Sequence, residues 1–300
     1  MKILVTGGTV FVSRYMAEYF VSRGDAVYVL NRNTKPQPKG ATLIQADRNA
    51  LGDCLKEFYF DAVIDVNAYN AGDVNNLLDA LGGFSSYILI SSSAVYPDTA
   101  KQPFYEATPC GVNKFWGDYG LGKIAAENAL TSRVKNAYII RPPYIYGEYN
   151  NVYREAFVFD CADGDLPFYL PQIDMKLQFI HVHDLCRFAE TLLTHKHENT
   201  IFNIGAQTVS AADWVLACYA AAGKVPQLIY VDKNIEQRNY FPFYAYSYEL
   251  DCANAKILMQ DYIGLNKGLR RAYEQYKSNK SQVNKKGYLN FIEKYLKNAE

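Results

Sequence analysis

Short runs of apolar and β-branched residues alternate along this chain with stretches in which apolar residues recur at helical spacing. Seven runs are typical of strands: Lys2–Val5, Ala26–Leu30, Thr42–Gln45, Ala62–Val66, Tyr87–Ser91, Ala137–Ile140 and Ile201–Ile204. Between them, the spacing predicts helices over Arg14–Ser22, Asp73–Leu81 and Tyr119–Ser132. This alternation predicts an α/β fold, a doubly wound parallel sheet with helices on both faces. In such sheets ligands bind beyond the carboxyl ends of the strands, so the residues after each strand are functional candidates.

The alternation breaks after Gly147, where a looser, aromatic-rich region begins. We therefore expect a first domain of residues 1–148 plus about 184–204, and a smaller, mixed α/β second part of about 149–183 plus 205–276. Within the stretch NYFPFYAYSYEL, Tyr244, Tyr246 and Tyr248 alternate as in a half-buried strand. Their rings either pack in a core or stack on a sugar.

Residues 277–300 form a separate tail. The polar, basic connector KSNKSQVNKK precedes GYLNFIEKYLKNAE, which places six apolar residues on one helical face: Tyr288, Leu289, Phe291, Ile292, Tyr295 and Leu296. This face predicts docking on the chain's own domain or on a partner subunit, with membrane attachment as the alternative.

Composition narrows the class of protein. The 300 residues are 49% hydrophobic, and 31 Lys and Arg balance 31 Asp and Glu, so no basic field favours nucleic acid or acidic membrane. No apolar run approaches the ~18 residues of a membrane span. Without a Cys-x-x-Cys pair or secretory leader, we expect a cytoplasmic protein whose cysteines are buried, reduced thiols: Cys54, Cys110, Cys161, Cys186, Cys218 and Cys252.

The stretch TGGTVFVS follows the first predicted strand and is typical of a phosphate-binding turn in a dinucleotide-binding unit. Gly7 and Gly8 provide the tight turn. Val10 and Ser13 stand where that turn usually repeats glycine, and Val10 is the greater obstacle to close approach of a phosphate. The pyrophosphate is expected on the backbone amides at the helix start, near Thr9, Val10, Phe11 and Val12.

The end of the second strand predicts which dinucleotide binds. Asn31 stands in place of the acid that usually holds a ribose diol, and Arg32 follows it. Loss of the carboxylate removes repulsion against a 2′-phosphate, which a guanidinium can hold bidentately. The sequence therefore favours NADP(H) over NAD(H); the alternative is that Arg32 simply faces solvent.

Tyr119 and Lys123 lie four residues apart, on one face of a predicted helix. Lowering a phenol pKa by about three units takes ~4 kcal/mol, which one ammonium at ~4 Å and an effective dielectric of ~20 supplies. Ser92, at the end of a neighbouring strand, can then hold the substrate hydroxyl whose proton the tyrosine removes. The alternative is that Tyr119 is one of 26 tyrosines without special function and that Lys123 is a solvated helix lysine.

Six motifs occur in one order along the chain: TGG, SSSAVYP, YGLGK, RPPYIYG, QFIHVHDL and FNIG. This ordered set of motifs resembles that of the extended short-chain dehydrogenase/reductase superfamily, whose members have a Rossmann sheet and a smaller substrate domain. The resemblance extends from Met1 to about Tyr276. Within this superfamily the chain is similar to the NAD-dependent epimerase/dehydratase family, in an atypical Gly-Gly-x-x-x-x-Gly branch that includes chloroplast stem-loop-binding-like proteins. The resemblance implies that Tyr119 is the general acid/base, that Lys123 also holds the nicotinamide ribose, and that Ser92 binds the substrate hydroxyl.

The resemblance assigns further cofactor contacts at strand ends. It implies that Asp47 lies near the adenine and that three other positions line the ribose and pyrophosphate: Asn67, Ala68 and Tyr69. It places the segment from Pro142 through Tyr144 and Ile145 beside the nicotinamide. Each is alternatively an ordinary strand-end residue.

The resemblance implies an NAD(P)-dependent epimerase or reductase that acts on a nucleotide-linked or similar sugar. It implies a homodimer formed through helices Asp73–Leu81 and Trp116–Ser132. KLQF lacks the arginine often found just before FIHV, which weakens the case for a sugar diphosphate. The alternatives are an RNA-binding protein on the same scaffold and a dinucleotide-sensing pseudoenzyme.

Two histidine pairs invite a metal assignment, His181–His183 and His195–His197. The first pair belongs, with Asp184, to a structural signature of the family that the chain resembles. The second, in HKHEN, is typical of an exposed helix end. We therefore expect no metal site.

Overall fold

The structure is a computed structural model that describes residues 1–195 and 197–297. Its strands are β1 (Lys2–Thr6), β2 (Ala26–Asn31), β3 (Thr42–Gln45), β4 (Tyr59–Asp65), β5 (Gly83–Ile90), β6 (Tyr138–Arg141), β7 (Tyr144–Tyr146), β8 (Phe168–Pro171), β9 (Lys176–His181), β10 (Ile201–Asn203), β11 (Gln207–Ser210) and β12 (Leu228–Val231). Its helices are α1 (Phe11–Ser22), α2 (Ala71–Ala80), α3 (Gly117–Arg133), α4 (Glu155–Asp163), α5 (Val182–Thr194), α6 (Ala211–Ala221), α7 (Ala253–Leu258), α8 (Leu265–Asn279) and α9 (Tyr288–Phe291).

The chain divides into two compact units. The first comprises Met1–Pro143, Val182–Gly205 and Leu250–Tyr262, and the second comprises Tyr144–His181, Ala206–Glu249 and the residues from Ile263 onward. Leu250–Tyr262 was expected in the second part but belongs to the first. The reason is that Leu250 pairs with Phe104, whose carbonyl also accepts a hydrogen bond from the Asp251 amide at 2.8 Å.

A seven-stranded sheet forms the centre of the first unit. Its strand order is β10-β6-β5-β4-β1-β2-β3, and every pairing is parallel. All seven predicted strands are present, although β4 and β5 begin three and four residues earlier than expected. The predicted Rossmann-type sheet is therefore confirmed.

Both faces of this sheet are covered by helices. Ile3, Leu4 and Val5 of β1 are fully buried, as parallel strands are when helices pack on each side. Residues of α2 and α3 join strand residues in one apolar cluster, which includes Leu77, Leu130 and Leu4. Helix α1 pairs with α5, where the Tyr15 hydroxyl lies 3.2 Å from Nδ1 of His183.

The second unit is mixed α/β. Strand β9 pairs in parallel with β7 and antiparallel with β11, and β8 pairs in parallel with β12. Its core is aromatic: the rings of Phe179 and Trp214 stack at 5.7 Å, and Phe243 meets Trp214 edge-on at 4.8 Å.

The strand predicted through Tyr244, Tyr246 and Tyr248 is wrong. The Tyr246 amide donates to the Tyr244 carbonyl at 2.8 Å, which closes a tight turn and withdraws that amide from pairing. Only Tyr248 makes a β-type contact, an isolated bridge to Leu177, and it is buried. Tyr244 and Tyr246 are partly exposed.

The tail packs on its own unit, one of the two outcomes expected of its apolar face. Helix α8 continues to Asn279, so the first part of the predicted connector is helical. Tyr288 is buried and stacks on Tyr153 with ring centroids 5.8 Å apart. Beyond the four residues of α9 the chain forms one wider turn that exposes Tyr295, so the predicted face is not uniformly buried. Residues 298–300 of the predicted tail lie outside the described residues.

The expectation of buried cysteines is wrong at two positions. Cys110 is exposed, because it lies in the irregular segment before α3, and Cys54 is partly exposed in a turn after β3. The other four are buried: Cys161, Cys186, Cys218 and Cys252. Across residues 1–195 and 197–297, no helix has both the length and the apolar character that crossing a membrane requires.

Candidate active site

The glycine turn after β1 is shaped by two left-handed residues. Gly7 and Gly8 have φ of +86° and +89°, which side chains other than glycine rarely allow. A Cβ on Gly8 would lie 2.5 Å from Cγ1 of Val29, and the Gly7 amide donates to the Leu30 carbonyl at 2.9 Å. The turn therefore holds its backbone against β2 in a form that needs both glycines.

Val10 and Ser13 fit this turn without glycine. Val10 has an ordinary extended backbone with φ −136° and ψ 135°, and the left-handed conformation falls on Phe11 instead, with φ +39°. The Ser13 hydroxyl donates to the Val10 carbonyl at 2.9 Å. Thr9, Phe11 and Val12 complete the start of α1, whose first amides have no partner within the helix and can bind a phosphate.

The side chain of Asn31, at the end of β2, is held by hydrogen bonds to other residues of the protein. Its amide nitrogen donates to the Gly7 carbonyl at 2.6 Å and to Oε1 of Gln37 at 2.9 Å, which ties the glycine turn to the following loop. Arg32 is exposed, and its side chain has no hydrogen bond or ion pair with any described residue. Of these two residues, only Arg32 has a charged side chain that can bind a ligand without first breaking a hydrogen bond within the protein.

A buried ion pair that the sequence analysis missed lies below these strand ends. Asp65, the last residue of β4, is fully buried, and Arg48 holds both of its oxygens at 2.7 and 2.6 Å. Thr6 and Tyr87 each donate a further hydrogen bond to this carboxylate, at 2.8 and 2.6 Å. Burial raises the pKa of Asp65, but the Arg48 charge and these hydrogen bonds outweigh it and lower that pKa.

Arg48 also reaches the predicted cofactor segment after β4. Its guanidinium donates to Oδ1 of Asn67 at 2.8 Å. The neighbouring Asp47, which was the predicted residue, is exposed and accepts a hydrogen bond from the Asn49 amide at 2.9 Å. A signal for the pair was available: an aspartate within the apolar run AVIDV needs a buried cationic or hydrogen-bonding partner.

Lys123 joins helix α3 to the ends of two central strands. Its Nζ donates to the carbonyls of Ala68 and Ile90, at 2.7 and 2.9 Å, and lies 5.1 Å from the centroid of the Tyr69 ring. Burial lowers the pKa of Lys123 to about 8. Lys123 is thus a buried, clamped lysine and not the solvated one of the alternative reading.

Tyr119 lies one turn before Lys123 and is 41% exposed. Its ring is 6.4 Å from the ring of Tyr69 and 6.4 Å from that of Trp116. The phenol therefore stands at the surface above the buried lysine, where a ligand can reach it.

Two glycines between Tyr119 and Lys123 bring α3 close to the sheet. A Cβ on Gly120 would lie 2.5 Å from the Ala94 carbonyl oxygen, and a Cβ on Gly122 would clash with the Tyr69 carbonyl oxygen. The two glycines of the motif YGLGK thus have a structural role, because they allow α3 to lie close to the backbone that follows β4 and β5.

Ser92 begins the turn that meets α3. Its hydroxyl oxygen accepts a hydrogen bond from the Ala94 amide at 3.1 Å, at the start of a short helical turn over Ser93–Val95. Ser93 bonds the Pro142 carbonyl through its amide and its hydroxyl, at 3.0 and 2.8 Å. Pro142 therefore lies directly beside the serine turn.

The first unit thus gathers the predicted residues at the carboxyl edge of its sheet, with Arg32 and Asp47 at the exposed ends of β2 and β3. Tyr144 and Ile145 belong to the second unit, where Tyr144 is buried against Phe243 with ring centroids 4.8 Å apart. Their contact with a cofactor stays a prediction.

No group of three or more potential metal ligands is found among the described His, Cys, Asp and Glu residues. His181 is buried and lies 3.2 Å from Oε2 of Glu148. His183 faces α1, as described above.

Comparison with known proteins identifies the family. The model of the NAD dependent epimerase/dehydratase family matches residues 3–205, about two thirds of the chain. The chain belongs to this family. The family predicted from the six motifs is therefore confirmed.

The family contains relatives of different function. The chain is 28% identical over 270 residues to the chloroplast stem-loop binding protein of 41 kDa b of Arabidopsis thaliana, covering 81% of this chain and 70% of that protein. It is 28% identical over 167 residues to a UDP-glucose 4-epimerase of Erwinia amylovora, covering 45% and 49%. The chain spans about half of the latter.

Among solved structures, the chain is similar to the UDP-glucuronic acid 4-epimerase of Bacillus cereus in complex with UDP-glucuronic acid and NAD. The TM-score is 0.73 at 18% identity, covering 93% of this chain and 100% of that one. At this identity the likeness shows a shared fold.

Proposed function

We propose that this protein is an NAD(P)-dependent enzyme that epimerises or reduces a nucleotide-linked or similar sugar at a hydroxyl or keto group. The observation that carries the proposal is the pair on α3, an exposed Tyr119 one turn before a Lys123 whose ammonium is buried and fixed by two carbonyls. A buried cation at this place supports an acid/base tyrosine. Family membership and the epimerase relatives support the same class of reaction.

The glycine turn supports a dinucleotide. Its left-handed Gly7 and Gly8 hold the turn close against β2, and the first amides of α1, which have no partner within the helix, are available to a pyrophosphate. When bound, the nicotinamide supplies the acceptor and donor for hydride. Tyr119 accepts the proton of the substrate hydroxyl and returns it, while Lys123 stabilises the tyrosinate. The hydroxyl of Ser92 holds the substrate oxygen in line with Tyr119.

NADP(H) is the preferred form in this proposal. Arg32 is exposed and unpaired among the described residues, and Asn31 brings no negative charge toward a 2′-phosphate. A charge-assisted pair of this kind is worth ~1.5–3 kcal/mol, so Arg32→Ala should weaken NADPH binding about tenfold or more and leave NADH binding nearly unchanged. A parent that prefers NADH, or a variant with unaltered NADPH affinity, refutes the preference.

The activity is tested with UDP-glucose and UDP-galactose in the presence of NAD or NADP, with the sugar product separated by chromatography. We expect interconversion, or oxidation and reduction of the sugar, that Tyr119→Phe abolishes. Tyr59→Phe is the matched control. Tyr59 is also exposed, but it is the first residue of β4 and so lies at the amino end of that strand, away from the carboxyl edge of the sheet. Equal turnover by the parent and by Tyr119→Phe contradicts the assigned role.

RNA binding is the second candidate, favoured by the similarity to a stem-loop binding protein. The basic tail offers little for it, because Lys280 and Lys285 pair at 2.6 and 2.7 Å with Asp163 and Asp160. Backbone-driven binding to single strands weakens with salt at a log–log slope of about −0.7 per phosphate. We expect weak binding at physiological salt, lost on deletion of residues 277–300. Tight, salt-resistant binding by the truncated, folded protein favours this candidate instead.

A homodimer through α2 and α3 remains part of the proposal. These helices pack against each other. At their carboxyl ends, Nη2 of Arg133 lies 2.6 Å from Oδ1 of Asp79. Light scattering should give twice the chain mass; a constant 34.0 kDa over a wide concentration range refutes the dimer.

A further inference from the structure

All five N–H groups of the Arg48 guanidinium are engaged within the first unit. Nη1 and Nη2 hold the two carboxylate oxygens of Asp65 at 2.7 and 2.6 Å, and Nε and Nη2 donate to the Asp73 carbonyl at 3.1 and 2.8 Å. The remaining N–H, on Nη1, donates to Oδ1 of Asn67 at 2.8 Å. A guanidinium has five donors and no acceptor, so Arg48 keeps no N–H group for a ligand.

The contact with Arg48 determines which way the Asn67 amide faces. Because a guanidinium can only donate, the atom that it contacts must be the amide oxygen and not the amide nitrogen. Nδ2 of Asn67 therefore points away from Arg48. Among the described residues Nδ2 has no hydrogen-bond partner, and Asn67 is partly exposed. The amide thus has two N–H donors that a ligand can reach.

These donors lie beside the glycine turn. A Cβ on Gly7 would lie 3.7 Å from Nδ2 of Asn67, so the turn and the amide are direct neighbours. The backbone that carries the amide is fixed by the Thr6 hydroxyl, which accepts hydrogen bonds from the amides of Val66 and Asn67 at 2.9 and 3.4 Å. The same hydroxyl donates to Asp65 at 2.8 Å. The ends of β1 and β4 therefore hold this donor in one place.

An oriented donor at this turn suits an anionic ligand. The pyrophosphate of a dinucleotide is expected at the backbone amides that begin α1, directly after the same turn. A cation that binds the oxygen of an amide polarises it and strengthens its N–H groups as donors. Asp65 balances the charge of Arg48, so the protein presents a strong neutral donor here and not a second cation.

We propose that the side-chain amide of Asn67 donates a hydrogen bond to the pyrophosphate of the bound dinucleotide, and that Arg48 is the positioning residue that orients this amide. The proposal rests on the proposed function and adds to it a side-chain contact with the phosphates. Arg48 has no N–H group of its own to offer, and it acts on the ligand only through Asn67.

Fluorescence titration of the full-length protein with NADPH and NADH tests the contact. In Asn67→Asp a carboxylate oxygen still accepts from Arg48, but the N–H donors are lost and the new charge repels a pyrophosphate. We expect Asn67→Ala to bind both dinucleotides about tenfold more weakly, as for one hydrogen bond to a charged group. Asn67→Asp should bind them more weakly still. Its additional loss should shrink at high salt, which screens the repulsion.

Asn75→Asp is the matched control. Oδ1 of Asn75, on α2, also accepts from an arginine, Nη1 of Arg133 at 3.2 Å, and Arg133 is the last residue of α3. The substitution makes the same change of charge beside a guanidinium that is remote from the glycine turn. We expect its affinity for NADPH and NADH to equal that of the parent.

A double-mutant cycle tests the role of Arg48. Arg48→Lys keeps a charge beside Asp65 but lacks the planar fork that reaches Asn67 as well, so it should weaken NADPH binding. In the Asn67→Ala background the same substitution should change NADPH affinity little, because the amide that Arg48 orients is absent. Equal losses in the two backgrounds would leave Arg48 a purely structural role and overturn its assignment as a positioning residue.

The contact itself is overturned if Asn67→Asp and Asn67→Ala bind NADPH as the parent does, with parent-like urea denaturation. A loss in Asn67→Asp that does not depend on salt assigns the amide to an uncharged part of the dinucleotide and overturns the pyrophosphate contact. A folded parent that binds neither dinucleotide counts against the proposed function itself. Binding without turnover in the parent leaves the contact standing.

Discussion

Gly120→Ala is the sharpest structural test of the candidate active site. The added Cβ would lie 2.5 Å from the Ala94 carbonyl oxygen, whereas ordinary contacts begin at 3.4 Å, so α3 or the serine turn must move by about 0.9 Å. A backbone carbonyl cannot rotate away as a side chain does. Overpacking of this kind costs ~1–3 kcal/mol, against up to ~1 kcal/mol that alanine gains over glycine in a helix. We expect a net loss of about 1–2 kcal/mol in the free energy of unfolding.

The displacement also separates Tyr119 from Ser92, because Ala94 belongs to the turn that Ser92 begins. A misplacement near 1 Å can cost ~10²-fold in rate. Urea denaturation gives the stability, and the sugar-nucleotide assay gives the rate. Gly111→Ala is the control, since its Cβ would make only an ordinary 3.6 Å contact with Pro97. A Gly120→Ala protein as stable and active as the control refutes the close packing of α3.

Three further outcomes follow from the same site. Tyr119→Phe should remove turnover, a loss of ~10²–10⁴-fold, while NADPH affinity by fluorescence stays within twofold; full activity moves the protein to the pseudoenzyme or binding class. Lys123 has its pKa lowered to about 8 by burial, so the unfolded chain holds this proton more tightly and stability gains as pH rises from about 8 to about 10.4. Lys123→Met should lack that gain in urea titrations across this range, and an identical pH profile contradicts the burial. Asp65→Asn leaves the Arg48 charge buried without its partner and should cost ~3–5 kcal/mol, with loss of the parent's acid sensitivity below about pH 4, where the lowered pKa of Asp65 titrates; a loss below 1 kcal/mol refutes the buried pair.

The central sheet was predictable because its signal is local. A run such as Ile3 to Val5 is apolar throughout, as a strand covered on both faces must be, and alternation with helical segments leaves few topologies. The beginnings of β4 and β5 were missed because polar residues interrupt the apolar run there, Asp61 in β4 and Ser85 and Ser86 in β5. The position of Tyr119 and Lys123 on one helix was predictable because residues four apart lie on the same helix face.

The remaining features depend on contacts between distant parts of the chain. Arg48 binds the carboxylate of Asp65, 17 residues away in the sequence, and no spacing rule predicts this ion pair. A buried aspartate does indicate that a cationic or hydrogen-bonding partner lies beside it. The tyrosines at 244, 246 and 248 alternate as in a strand. The Tyr246 amide, however, donates to the Tyr244 carbonyl within a tight turn, and the sequence periodicity does not reveal this hydrogen bond.

A fluorescence titration of the purified protein with NADH and NADPH tests whether it binds a dinucleotide. The glycine turn and the clamped lysine predict saturable binding of at least one form, tighter for NADPH, weakened by Lys123→Met and unaffected by Tyr59→Phe. A correctly folded parent protein that binds neither dinucleotide would contradict the proposed NAD(P)-dependent function.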